Sequence, residues 1–295
     1  MPDTLRAPAK INLCLSILSR RPDGYHDIES LFVPVEGLFD TLEIAPAEAG
    51  AGCRVAPELP DTPPEKNLVH RAWRAYGEAT GFAPDISVRL DKRIPAGMGL
   101  GGGSSDAAAM LRWLQARSGE AALPQEALVA LAARLGADVP FFLLGAPALA
   151  GGIGEKLTPV ALDLAAFTLL VVLPKVHVST AWAYGAWDDL AAAQLPSREG
   201  LTTGPLTHKR RVSLSPVRVW NDFETAVFPA FAELRRLKER LLTLGAACAV
   251  MSGSGAGIAA LFRERRLALG AADDLRTKAL PVHVEILRHW GVAKR

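Results

Sequence analysis

Residues 95–109 read PAGMGLGGGSSDAAA, and five of the seven residues from Gly97 to Gly103 are glycine. Glycine lacks a Cβ, so such a run can take left-handed dihedrals and bring its N–H groups close to a ligand. Just beyond it Ala107, Met110, Leu111 and Leu114 fall at i, i+3, i+4 and i+7, the spacing of an amphipathic helix. Ser104 or Ser105 is placed to cap that helix and Asp106 suits its first turn. The helix would aim its unpaired N–H groups and the positive end of its dipole at the glycines. A flexible connector is the competing reading, but linkers of that kind carry Ser, Thr or charge throughout and do not run into a capped helix. The segment therefore predicts an anion cradle, with a nucleotide polyphosphate as its occupant.

Known nucleotide motifs sort by what surrounds them. Gly97-Met-Gly99-Leu-Gly101-Gly102 satisfies G-x-G-x-x-G, but the dinucleotide fingerprint also needs a strand after the helix, ending in an acid about 20 residues on. Here a second helix, 125–135, follows, and Glu120 lies in the linker. No Gly-Lys-Ser/Thr occurs, which excludes a Walker A loop, and neither HRD nor DFG of the protein kinases is present. What remains is a phosphate loop of another design.

The 295 residues allow one large domain or two modest ones. A net charge of +2 is too mild to point to nucleic acid or a membrane surface, and Lys209, Arg210 and Arg211 form only a short basic cluster. No span reaches the roughly 20 apolar residues that cross a bilayer; the most apolar, 164–173, has the length of a buried strand. The N-terminus has no apolar signal core, and Cys14, Cys53 and Cys248 are odd in number and far apart. These features predict a cytoplasmic protein with reduced thiols and no zinc site.

Strict alternation over 10–17 (KINLCLSI) predicts a half-buried strand, with Ile11, Leu13, Leu15 and Ile17 on one face and Lys10, Asn12, Cys14 and Ser16 on the other. RRPDG at 20–24 is a turn signal. Further strands are expected at 30–35, 41–44, 86–90, 167–173, 246–251, 258–262 and 282–287. Helices are expected at 67–80 (ended by Gly81), 125–135, 180–190 and 223–244 (interrupted by Pro229). The stretches 46–64 and 196–216 read as loops, the first around a possible short strand. Helices and strands interleave without regular βαβ units, so the class is α+β, and a second region begins near Glu155.

Three segments in order, PAKINLCLSILSRRPDGYH at 8–26, the glycine loop with GADVP at 136–140, and MSGSGA at 251–256 preceded by NDFE at 221–224, resemble the GHMP kinase superfamily. The pairing of PAKINL with DGYH resembles the branch whose acceptor carries a cytidine diphosphate. The resemblance implies a two-domain α+β kinase, with a catalytic domain at 1–155, a ferredoxin-like domain at 156–295 and the active site in the cleft between them. It implies ATP with Mg²⁺ carried on its phosphates, and phosphorylation of a tertiary alcohol, the 2-hydroxyl, on the non-mevalonate route to isoprenoid precursors. The implied partner is that small molecule alone, with no nucleic acid and no membrane.

The same resemblance distributes roles. Lys10 and Asp138 attend the acceptor hydroxyl, the aspartate orienting it and taking its proton, the ammonium stabilising the transferring group. Pro95, Ala96, Gly97, Met98, Gly99, Leu100, Gly101, Gly102, Gly103, Ser104 and Ser105 hold the ATP phosphates, while Asn67, Leu68 and the backbone of Lys92 line the adenine pocket. Asn12, Tyr25, His26, Thr180, Tyr184, Gly253 and Ser254 meet the substrate, the two tyrosines flanking the cytosine. Local chemistry offers plainer alternatives: Asp138 and Asn67 as helix caps, Lys10 as an exposed edge residue, Tyr184 as a core aromatic, and 252–255 as a hairpin turn. No residue is assigned to a metal. Asp106 stands where asparagine is also familiar, and an acid there needs a lysine or a metal to offset it.

Overall fold

The computed structural model describes residues 2–57, 63–192 and 218–291. The expected loop at 196–216 and the basic cluster at 209–211 lie outside them, as do 58–62 of the expected loop at 46–64. Two long strands, β1 (Asp3–Arg20) and β2 (His26–Pro46), contribute residues to each of two compact units. The units are not consecutive stretches: one gathers Met1–Ala9, Leu38–Ile94 and Gly101–Gly145, the other Lys10–Gly37, Pro95–Leu100 and Ala146–Arg295.

In the first unit the chain forms β3 (Cys53–Ala56), α1 (Leu68–Thr80), β4 (Ile86–Asp91), α2 (Gly102–Arg117), α3 (Gln125–Leu135) and α4 (Val139–Leu144). The sheet order is β3-β4-β2-β1, with β3 parallel to β4 and β4 antiparallel to β2 from Thr41↔Asp91 to Pro46↔Ile86. Helix α1 buries Val69, Ala72 and Tyr76 and stops at Gly81, whose φ of 77° only glycine adopts freely. It packs on α2, whose alanines at 107–109 are all buried.

The second unit holds β5 (Ala148–Gly151), β6 (Lys156–Pro159), β7 (Leu162–Asp163), β8 (Thr168–Val172), α5 (Thr180–Ala192), β9 (Trp220–Asn221), α6 (Phe223–Ala230), α7 (Ala232–Thr243), β10 (Cys248–Met251), β11 (Ile258–Phe262), α8 (Arg265–Thr277), β12 (Val282–Ile286) and β13 (His289–Trp290). One sheet runs β6-β5-β2-β1-β9; the second, antiparallel, runs β10-β11-β8-β12; a third pairs β13 with β7. Within the second, β8, α7, β10, β11, α8 and β12 follow the order of the ferredoxin-like βαββαβ unit. Central β8 is buried along its whole length, so each of its Leu and Val side chains contributes roughly 1.5–3 kcal/mol. Helices α7, with Leu234, Leu237 and Leu241, and α8, with Ala268, Ala271, Ala272 and Leu275, turn apolar stripes inward.

Several expectations need correction. The alternation at 10–17 predicts a strand buried on one face, but β1 is central and both faces are buried, Lys10, Asn12, Cys14 and Ser16 included. The strands expected at 30–35 and 41–44 are one continuous β2. The helix expected at 223–244 is two, parted at Phe231 (φ −123°, ψ 69°), while Pro229 sits inside the last turn of α6. No helix among the described residues is long and apolar enough to cross a membrane.

Candidate active site

The glycine loop is held by its acceptors. Gly97, Gly99 and Gly101 have φ of 71°, 66° and 71°, a left-handed series that disfavours any side chain. The carbonyl of Gly97 accepts from Ala256 N (3.0 Å), that of Met98 from Gly257 N (3.1 Å), that of Gly99 from Ser252 Oγ (2.9 Å) and that of Leu100 from Lys10 N (3.0 Å). Four successive carbonyls are thereby tied to protein. Packing is close enough that a Cβ on Gly97 would overlap the His177 ring and one on Gly99 the Ser252 carbonyl.

Helix α2 starts earlier than the sequence suggests. Its N-cap is Gly101 in the left-handed region, no side chain caps it, and Ser104 and Ser105 lie within the first turn instead of at the cap. The first turn is therefore short of acceptors, the condition under which a helix N-terminus takes an anion. The Ser105 hydroxyl is fully buried and has no hydrogen-bond partner among the described residues.

Below that turn lies a three-residue charge cluster. Lys92 Nζ donates to Asp40 Oδ2 (2.5 Å) and to Asp106 Oδ2 (2.7 Å), and Asp40 Oδ1 accepts from the N–H groups of Arg93 (2.6 Å) and Ile94 (2.8 Å). Lys92 thus supplies the cation that an acid at 106 requires. It also ties the chain entering the glycine loop to the helix leaving it. Burial pushes the Asp106 carboxyl up to about 7; Lys92 opposes this, and the neighbouring Asp40 charge adds to it.

Lys10 is a buried ammonium, not an exposed edge residue: it donates to Asn12 Oδ1 (2.6 Å) and lies over the Phe32 ring (4.8 Å). Asn12 Nδ2 donates to Ser30 Oγ (2.8 Å), and Asn12 N to Ser252 Oγ (3.2 Å). The turn at 252–255 does join β10 to β11 as a hairpin, with Gly253 and Gly255 left-handed. Ser252 also binds it to the glycine loop. Asp138 stands half-buried before α4, and its side chain makes no capping bond there. Asn67 does cap, accepting from Val69 N (2.9 Å), with Leu68 half-buried beside it.

Tyr25 is 60% exposed, whereas His26 is buried and stacks on Tyr184 (centroids 4.5 Å, interplanar 13°). Tyr184 is half-buried and meets Phe223 edge-on at 4.8 Å. Thr180 Oγ1 and Ser254 Oγ are hydrogen-bonded at 2.8 Å.

Three participants escape sequence reasoning. Asp40 sits 52 residues before Lys92, and nothing local marks it. Asp188 Oδ1 meets His26 Nε2 at 2.6 Å. Asn221 donates to the carbonyls of Met251 (2.7 Å) and Gly253 (2.6 Å) and accepts from Phe223 N. Its motif NDFE was visible in the sequence, but its contact with the second glycine turn was not.

The model of the GHMP kinases N terminal domain matches residues 67–146, and that of the GHMP kinases C terminal domain matches 212–280. The 4-diphosphocytidyl-2-C-methyl-D-erythritol kinase of Solidesulfovibrio magneticus is 48% identical over 267 residues, 90% of each chain. The chain belongs to the 4-diphosphocytidyl-2-C-methyl-D-erythritol kinases, within the GHMP kinases. It is a small-molecule kinase that uses ATP. A second relative under that name, from Nitratidesulfovibrio vulgaris, is 48% identical over 286 residues, 96% of this chain and 98% of its own. The crystal structure of a 4-(cytidine 5'-diphospho)-2C-methyl-D-erythritol kinase superposes with a TM-score of 0.74 at 36% identity, covering 96% of this chain and 98% of that one. Homoserine kinase from Cytophaga hutchinsonii, at 18% identity and TM-score 0.62, shares the fold.

Proposed function

We propose that this kinase transfers the γ-phosphate of ATP to the 2-hydroxyl of 4-diphosphocytidyl-2-C-methyl-D-erythritol, in the non-mevalonate route to isoprenoid precursors. The observation that carries the ATP half is the glycine loop, whose four carbonyls are bonded to protein while a helix without a side-chain cap follows it. Identity of 48% to relatives of that name carries the acceptor.

Phosphoryl transfer asks a protein chiefly for positioning and charge neutralisation. In this reading residues 95–105 hold the phosphates, Asn67, Leu68 and the Lys92 backbone line the adenine, and Lys10 stabilises charge on the moving group. Asp138 orients the acceptor hydroxyl and takes its proton, a task that an ordinary carboxylate performs. Asn12, Tyr25, His26, Thr180, Tyr184, Gly253 and Ser254 bind the cytidine-bearing substrate. Mg²⁺, carried on the ATP phosphates, would neutralise their charge. The buried, unpartnered Ser105 hydroxyl in the first turn of α2 is a hard oxygen of the type that ion takes.

The proposal keeps a catalytic domain at 1–155 and a second at 156–295, supported by family-model matches that fall within each. Its setting is the cytoplasm, where the nucleotide substrates are. Lys10→Ala and Asp138→Ala test the assignment: each should lower kcat by at least about 100-fold in a folded protein. Full activity in both would remove these residues from the mechanism.

A further inference from the structure

The antiparallel sheet of the second unit ends at β10 on one side and at β12 on the other. At β10 the outward groups of Met251 are taken by side chains: its N–H donates to Glu224 Oε1 (2.9 Å) and its carbonyl accepts from Asn221 Nδ2 (2.7 Å). At β12 they are not. Leu173 N donates to the Pro281 carbonyl (2.9 Å) and Leu287 N to the Phe167 carbonyl (3.1 Å). In the register from Val282↔Val172 to Ile286↔Thr168, the odd-numbered residues of β12 are therefore the ones bonded to β8. The N–H and C=O groups of Val282, Val284 and Ile286 point away from the sheet and have no hydrogen-bond partner among the described residues. Nothing guards this edge: 282–286 (VHVEI) has no Lys, no Pro and no bulge, and Ile286 is 62% exposed. Its one carboxylate, Glu285, accepts from Gly37 N (2.9 Å) and meets His283 Nε2 (2.8 Å).

We propose that β12 is a self-pairing edge, along which a second copy of this chain docks antiparallel with the two-fold axis at Val284. The side chains choose that register. With outward groups on even-numbered residues, a two-fold pairing within β12 has its axis at residue 283, 284 or 285. An axis at Glu285 sets two carboxylates face to face, and an axis at His283 leaves Ile286 beyond the end of the opposing strand. An axis at Val284 uses all five residues. It places each His283 across from the second copy's Glu285, a donor–acceptor match made twice, in the non-bonded positions where side chains come closest. It also covers each exposed Ile286 with a Val282. Two four-stranded sheets become one. A five-residue edge is a small interface, so the dissociation constant is on the order of tens of micromolar.

The test is sedimentation equilibrium of the full-length kinase from about 1 to about 500 µM, a range that brackets that constant. The mass should rise from that of one chain toward that of two. Across the same range, amide exchange at Val282, Val284 and Ile286 should slow at least about fivefold, while His283 and Glu285, already bonded to β8, stay unchanged. Two variants attack the edge without touching the β8 ladder. Ile286→Lys puts a charge on an exposed side chain, and Val284→Pro removes an amide that β8 does not use. Each should raise the dissociation constant at least about tenfold with kcat unchanged. If the proline variant fails to fold, Ile286→Lys alone decides. A wild type that stays monomeric to the top of the range overturns the inference. So does a dissociation constant unchanged in a folded variant, or a dimer in which the three outward amides exchange no more slowly.

Discussion

Gly99 lies so close to Ser252 that a Cβ at Gly99 would overlap the Ser252 carbonyl, while the Ser252 hydroxyl donates to the Gly99 carbonyl at 2.9 Å. The two glycine-rich turns are thereby one packed object. A methyl at Gly99 meets backbone, which cannot rotate away, and φ is 66°, where an L-residue costs roughly 1–2 kcal/mol. Gly99→Ala should lower kcat/KM for ATP by about 100-fold, because displacement of a positioning loop by an ångström has that effect. Gly103 differs: a Cβ there would stand 3.4 Å from the flexible end of Leu68. Gly103→Ala should fold with stability equal to or up to about 1 kcal/mol above wild type. Thermal melts and ATP titration of both variants check the contrast.

Asn221 satisfies three backbone groups at once, the carbonyls of Met251 and Gly253 and the N–H of Phe223. Asn221→Ala leaves all three buried and unpaired, at about 1–3 kcal/mol for each group that water cannot reach. A destabilisation of at least about 2 kcal/mol is expected in denaturant melts, with a raised KM for ATP in whatever folds. Asn221→Asp keeps the acceptor but turns a second acceptor on two carbonyls, and it should be no better.

The alternation at 10–17, the glycine run and most helices were legible because each depends on neighbours in sequence. Helix α2's start was misread: Ser104 and Ser105 look like caps, and only the left-handed Gly101 shows that the helix begins before them. Burial of Lys10 was illegible, since the same alternation serves an edge strand and a central one, and β9, which pairs with β1, lies about 200 residues away. Asp40 and Asp188 were missed for a related reason. Their partners, Lys92 and His26, are brought to them by sheet and helix packing, and a carboxylate in isolation carries no mark of its partner.

Asp106 gives a pH signature. Its folded-state carboxyl titrates near about 7, above the ordinary 3.8, because burial disfavours the anion. Between these values the folded state holds a proton that the unfolded state has lost, so this group's contribution to stability falls as pH rises. Asp106→Asn cannot titrate. Its stability relative to wild type should therefore climb from pH 3.8 to about 7 and level off above, as read by Tm across pH. A flat or inverted difference contradicts the assignment.

Burial raises the thiols of Cys14 and Cys53 to about 12 and that of Cys248 to about 11. Thiolate, the reactive form, is then scarce, and access is blocked besides. At about pH 8 the native kinase should resist alkylation with activity intact, while denatured chain should expose all three thiols. Rapid native labelling would show that the packing around them opens.

The most direct test of the phosphotransfer itself follows the phosphate to its destination. With γ-labelled ATP and 4-diphosphocytidyl-2-C-methyl-D-erythritol, phosphorus NMR and mass spectrometry should find the label as a phosphomonoester on the 2-oxygen of the product, one per ADP formed. Label released only as inorganic phosphate, or carried on another oxygen, would contradict the account.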